Sequence, residues 1–259
     1  FTLATLYPVL NIISISLRTD NAFETQSLSL FTSDSSFGSY KMLFNETSFL
    51  KWAWNSFIVT FVVTLTGVAL ASTSGYALSR FNFKGRQFGM LSLLTTQMFP
   101  ATMLLLPFFI LLSKIGLINS YIGLIIIYSS TALPFCIWQM KGYYDTIPVS
   151  LEESARLDGC NRYQTFYKII LPLSKPALVI TALFSFMSSW SEYVVAAIIL
   201  QDPELYTLPL GLKSFQASLA TQWGLYAAGA VVVSIPVTIL FISLAKYLVS
   251  GLTIGSVKG

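Results

Sequence analysis

Histidine is absent from these 259 residues, and cysteine occurs only at Cys136 and Cys160. The usual suppliers of nucleophiles, proton relays and metal ligands are therefore nearly missing, and the two cysteines have neither the spacing nor the context of a metal site or a disulfide framework. Both are expected to be free thiols. A phosphate-cradling loop of the Gly-x-x-x-x-Gly-Lys-Ser/Thr type needs a Gly-Lys pair, and the sequence contains none. The chain is thus not expected to hydrolyse a nucleotide or to hold a catalytic centre or metal of its own. What remains is suited to docking and recognition. One such segment is the polar run Asp145–Pro172; another is Ser189-Trp190-Ser191-Glu192-Tyr193, which sets a carboxylate between aromatic rings inside an apolar stretch.

The elements that must position these residues are membrane helices. The sequence is 54% hydrophobic and 10% charged, with a mean hydropathy of +0.70, whereas a soluble domain carries about 25% charged residues. Six apolar stretches, at 1–17, 53–79, 89–112, 121–140, 176–200 and 223–249, are each expected to cross the bilayer as a helix, because only helices and closed barrels satisfy their own backbone there. The first lacks a basic leader and a small-residue cleavage site, so it reads as the surviving part of a first span rather than as a signal peptide. With the N-terminus inside, the inner segments hold ten Lys and Arg, including Arg80, Lys84 and Arg86, and the outer ones hold five. That is the bias of the positive-inside rule, and it puts both termini in the cytoplasm. Pro100, Pro107, Pro134 and Pro236 interrupt spans and read first as packing kinks. No internal repeat is apparent, which disfavours secondary transporters built from inverted halves.

The inner segment between the fourth and fifth spans carries two helix-start signals. Ser150 with Glu153 three residues later fits a capping box, so a helix is expected from Leu151. Gly159 suits the left-handed position that ends it. Asn161 with Gln164 repeats the start signal, and Pro172 is expected to limit the second helix. Leu151 and Ala155 share a side of the first helix, where the small Ala155 allows close approach by a partner. A DNA-binding helix-turn-helix is rejected for this pair. It lies between spans, with four acidic residues against five basic ones from Lys141 to Lys175.

This segment resembles the coupling loop of ABC importer permeases, whose signature runs Glu-Ala-Ala, three residues, Gly, then about nine residues to Ile-x-Leu-Pro. The matching positions are Glu153, Ser154, Ala155, Gly159, Ile169, Leu171 and Pro172, with Glu152 and Asp158 in keeping; Ser154 departs from the usual alanine but is also small. Trp190-Ser191-Glu192-Tyr193 is similar to a Trp-x-Glu-aromatic pattern of sugar permeases. Thr207-Leu208-Pro209-Leu210-Gly211-Leu212 resembles the outer loop that follows it there, and Gly251–Gly259 is similar to the tail of the smaller permease of maltose-type importers.

The resemblance implies an all-α integral membrane protein of the ABC type I importer permease fold, one permease domain over 1–259, with six spans and a cytoplasmic coupling helix in the loop 145–172. It also implies the partners: a second homologous permease, two ATPase subunits carrying ATP and Mg, and an extracytoplasmic solute-binding protein. The setting is a bacterial or archaeal cytoplasmic membrane. The implied substrate is a sugar or oligosaccharide, whose apolar ring faces and hydroxyl edges call for aromatics, amides or carboxylates. Trp190, Glu192, Tyr193, Gln97 and Gln139 are the candidate lining. Glu192 is the one acidic residue in any expected span, so it either lines a cavity or bonds a neighbouring helix. Gln97 and Gln139 are expected to be interhelical packing partners. Pro209, Leu210, Gly211 and Lys213 are the candidate contacts to the binding protein. The rivals are an ABC permease for a non-sugar solute and an ion-coupled secondary transporter, which would need carboxylates near the membrane centre.

Overall fold

The computed structural model describes residues 2–19, 23, 35–216 and 221–254. Residues 255–259 of the expected 251–259 tail and most of the polar segment 20–34 lie outside the described residues. All regular structure among the described residues is helical. In chain order the helices are α1 (Thr2–Leu17), α2 (Gly38–Asn45), α3 (Phe49–Arg80), α4 (Arg86–Thr96), α5 (Leu105–Lys114), α6 (Tyr121–Thr146), α7 (Ser150–Leu157), α8 (Arg162–Thr165), α9 (Leu171–Leu173), α10 (Lys175–Trp190), α11 (Val194–Ile199), α12 (Leu208–Lys213) and α13 (Trp223–Ile254).

Two helices of 32 residues, α3 and α13, and the 26-residue α6 form the frame. By length and hydropathy, Phe49–Arg80, Tyr121–Thr146 and Trp223–Tyr247 qualify among the described residues as single-helix membrane spans. The other three stretches expected from the sequence are shorter or broken. The first is a helix of 16 residues. The third divides into α4, a 3-10 turn at Ala101–Leu104 and α5, because Pro100 is extended (φ −56°, ψ 129°) and has no N–H to continue the ladder. The fifth is interrupted at Ser191–Tyr193 between α10 and α11. Pro134 and Pro236, by contrast, lie inside helices that continue past them.

Helix α3 packs along α6 and α10, while α13 packs against α1 and α10. The α3–α6 crossing is close because Gly75 lacks a side chain. A Cβ there would stand 2.9 Å from Met140 Cβ and 3.3 Å from the Ile137 carbonyl, the small-residue packing expected where lipid supplies no hydrophobic drive. Three apolar clusters follow. One joins Val59, Val63, Leu124, Ile127, Tyr128 and Ile199. A second, at the end bearing the short basic 80–86 connection, joins Tyr76, Met140, Tyr144, Ile147, Phe166 and Ile170. A third gathers Phe49, Trp52, Trp190, Leu208 and Phe215. Phe57, Phe61, Leu65, Ile239 and Ile242 are exposed on the long helices. Such an apolar outer surface belongs in lipid.

Candidate functional site

The segment after α6 is a compact helical protrusion. Its first helix begins one residue earlier than expected, and the Ser150–Glu153 box does not form. Val149 is already helical (φ −64°, ψ −27°), so the turn at Pro148–Val149 starts the helix from backbone alone. The Leu151 amide donates to Pro148 O (3.3 Å), and the Glu152 and Glu153 amides to Val149 O (2.9 and 3.1 Å). Ser150 is thereby inside the helix, where its backbone cannot adopt the extended capping geometry. Gly159 ends the helix at φ +86°, and the Cys160 and Gly159 amides close back on Ala155 O and Arg156 O at 2.9 and 3.0 Å. This is the Schellman pattern that a left-handed glycine permits.

The second start signal forms as read. Asn161 N donates to Gln164 Oε1 and Gln164 N to Asn161 Oδ1, each at 2.9 Å. Pro172 does not limit the second helix, which passes it and reaches Leu173. A π-helical turn at Phe166–Ile170 precedes the proline, and this widened turn accommodates a residue that cannot donate to the ladder. The chain bends by 77° at Ser174 into α10. There the Ser174 amide and hydroxyl bond to Ile170 O at 3.0 and 2.7 Å.

Exposure divides the expected coupling residues. Glu153, Ser154, Asp158, Gly159 and Pro172 are exposed, and Ile169 and Leu171 are half-buried. Leu157 is 89% exposed, with Leu151, Tyr163 and Tyr167 also open, an unusual apolar display on a polar loop. Ala155 is buried. Its small side chain lets α7 rest closely on α8 and the π turn.

Glu152 is the least expected residue of the loop, since it is 1% exposed. Its Oε1 accepts from Arg80 Nε at 2.5 Å and its Oε2 from the Tyr76 hydroxyl at 2.7 Å. Arg80 Nη2 also donates to Ile147 O at 2.7 Å. Alongside, Ser79 Oγ donates to Asp145 Oδ1 at 2.6 Å, and Lys141 pairs with Asp145 at 2.5 Å. The last turn of α3 is thus tied to the end of α6 and the start of α7. Sequence reasoning missed Arg80 and Tyr76. The available signal was that Glu152 and Ala155 share a helix face, opposite an arginine that ends a neighbouring span.

At the other end of the bundle, Glu192 lies in the break after α10 and caps α11. Its carboxylate accepts from Val195 N at 3.0 and 3.2 Å, from Ala196 N at 3.3 Å, and from the Tyr128 hydroxyl at 2.8 Å. Of the two readings held open, the bond to a neighbouring helix is the one observed. Gln139 Oε1 accepts from Thr181 Oγ1 at 3.1 Å, and Gln97 Nε2 donates to Thr131 O at 3.3 Å; both join helices, as expected. Trp190 and Tyr193 instead meet Pro209, Lys213, Gln216 and Tyr226 around a cleft of about 650 Å³ between α10, α12 and α13. Trp190 is nearly buried, stacks on Phe186 with ring centroids 5.4 Å apart, and donates Nε1 to Val233 O at 3.1 Å.

The structure therefore joins part of the expected substrate lining to part of the expected binding-protein contact. Leu210 and Gly211 fall outside this group, buried towards the core, where Gly211 lies against the Trp52 indole. Aromatic walls with hydroxyl, amide and ammonium groups suit a polar solute that also has apolar faces.

Residues 64–254 match the family described as "Binding-protein-dependent transport system inner membrane component". The chain is 37% identical to the maltodextrin transport system permease protein MdxG of Bacillus subtilis (strain 168) over 98% of its length and 91% of the relative's. It is 38% identical to the galactooligosaccharides transport system permease protein GanQ of the same organism, over 98% and 90%. With the maltose/maltodextrin transport system permease protein MalG of Vibrio vulnificus (strain YJ016) it shares 36% identity, over 98% and 91%. A crystal structure of a bacterial ABC transporter involved in the import of the acidic polysaccharide alginate contains a similar chain. That chain has a TM-score of 0.84 and 28% identity, with 95% of this chain and 92% of that one covered. The helical bundle, the capped loop and these matches together place the chain in the binding-protein-dependent transport system inner membrane component family, the permease subunits of ABC importers.

Proposed function

We propose that this chain is one of two permease subunits of an importer that carries a sugar or oligosaccharide into the cytoplasm, driven by ATP hydrolysed, with Mg, on two partner ATPase subunits. The observation that carries the sugar reading is that relatives aligned over 98% of the chain are named for maltodextrin and galactooligosaccharide transport. The cleft walled by Trp190, Tyr193 and Tyr226 supports it, because aromatic faces stack on sugar rings. The end bearing Arg80, Lys84, Arg86 and the α7–α8 protrusion faces the cytoplasm in this reading, as its positive charge favours. Glu153, Ser154, Asp158 and Gly159 present the coupling surface, with exposed Leu151 and Leu157 beside them as apolar anchors. Pro209 and Lys213, at the opposite end, face the solute-binding protein. Glu192, held by Tyr128 and the α11 amides, shapes the cleft wall rather than relaying ions.

Co-purification in detergent with the cognate ATPase subunits tests the reading, with Gly159→Asp as the comparison. Wild type is expected to retain the ATPase and the variant to lose it. A folded wild type that recruits no ATPase would refute the assignment of the loop.

A further inference from the structure

The loop helix and the opposite end of the molecule are both fastened to one helix. At the basic end, Arg80 and Tyr76 of α3 hold the buried Glu152 of α7. Near the other end, four side chains from the first two turns of α3 hold the segment that leads into α12. Asn55, only 4% exposed, donates through Nδ2 to the carbonyls of Glu204 and Tyr206, both at 3.0 Å. Trp52 Nε1 donates to Pro203 O at 3.1 Å, Ser56 Oγ accepts from Leu208 N at 2.7 Å, and Lys51 pairs with Glu204. Between these fastenings α3 runs without a break or a proline from Phe49 to Arg80. At ~1.5 Å per residue, Asn55 and Arg80 are about 38 Å apart along the axis.

We infer that Asn55 and Arg80 are positioning residues that make α3 a strut, carrying a displacement of the α7 loop helix to the 201–213 segment at the opposite end, and the reverse. This rests on the reading of the chain as an importer permease. Each fastening is multiply bonded and centres on buried side chains, Glu152 at one end and Trp52, Asn55 and Ser56 at the other, so neither loop moves far without α3. Helix α3 is packed against α6 and α10 and has neither a proline nor a break at which a sharp kink would absorb the motion. The device links the face proposed to meet the ATPase with the face proposed to meet the binding protein, and through Pro209 and Lys213 of the 201–213 segment it also reaches the cleft wall.

The test uses the complete importer with its ATPase subunits and a fluorophore on Lys213→Cys. Cys160→Ser removes the accessible native thiol, while the buried Cys136 stays. ATP is the probe, and the readout is the ATP-induced fluorescence change. Glu152→Gln is expected to shrink that change by about fivefold or more, the lower range of typical couplings between sites, although the label lies at the far end of α3. Asn55→Ala should do the same. The double variant should lose no more than the worse single variant, whereas distant independent sites combine additively.

If Glu152→Gln does not assemble, Tyr76→Phe, which removes one of its hydrogen bonds, takes its place. A full-sized change in an assembled Glu152→Gln or Tyr76→Phe complex, additive losses, or no ATP-induced change in wild type would overturn the strut. A wild type that fails to bind the ATPase at all would instead overturn the proposed function.

Discussion

Replacing Arg80 with methionine leaves the Glu152 carboxylate buried with Tyr76 as its one close hydrogen-bond donor. Arg156 stands 3.9 Å away, but its side chain is 47% exposed, so it offsets little. Both members of the original pair are buried, with side-chain exposures of 9% and 1%, and breaking a buried pair from one side costs about 3–5 kcal/mol. The lost bond to Ile147 O adds to that cost. Helix α7 has eight residues, too few to persist once undocked. Taking about 3 kcal/mol for the loss, the undocked population rises roughly 100-fold, since every ~1.4 kcal/mol is a factor of ten. Tryptic cleavage after Arg156, followed by mass spectrometry of the fragment that begins at Leu157, reads that population when opening is fast relative to cleavage. The Arg80→Met/Glu152→Met pair should restore near wild-type resistance, because an apolar replacement removes the uncompensated charge. A cleavage rate in Arg80→Met equal to wild type would refute the claim that this ion pair holds the loop helix.

Other substitutions probe the remaining contacts. Gly159→Ala adds a Cβ that meets nothing within 4 Å but sits at φ +86°, so its cost is conformational, about 1–2 kcal/mol; thermal unfolding in detergent should show a lower midpoint, with Gly159→Asn closer to wild type. Glu192→Ala removes the acceptor of the Val195 and Ala196 amides and of Tyr128, a loss of about 1–2 kcal/mol by analogy with helix caps. Glu192→Gln should recover most of that loss in the same melt. Gly211→Ala drives a methyl into the Trp52 indole, an overpacking of about 1–3 kcal/mol, readable as a lower midpoint together with altered tryptophan fluorescence.

Much of the architecture was legible because lipid imposes a simple rule on composition: long apolar stretches must be helical. That rule finds α3, α6 and α13. It does not find the break at Ser191–Tyr193, where no glycine or proline interrupts the chain and the partner of Glu192 is Tyr128, 64 residues earlier. Gly159 and the Asn161–Gln164 box were readable because both are local, complete within a few residues. The Ser150–Glu153 pair has the same local pattern but fails, because the Pro148–Val149 turn begins the helix first. Glu152 reads in sequence as one of the coupling-loop residues. Its burial depends on Arg80, 72 residues earlier, and a long-range ion pair leaves no trace in local spacing. The cleft was half legible: its aromatic members stand out in sequence, but their meeting with Lys213 and Gln216 depends on how α12 folds against α13.

The most direct measurement of the central claim is uptake of a labelled maltooligosaccharide into proteoliposomes that contain the chain with its second permease and ATPase subunits, with loaded binding protein outside and ATP trapped inside. Uptake that requires both ATP and the binding protein, and that persists when ionophores collapse the proton and sodium gradients, is the result predicted here. Uptake that continues without ATP and follows an ion gradient would contradict the account.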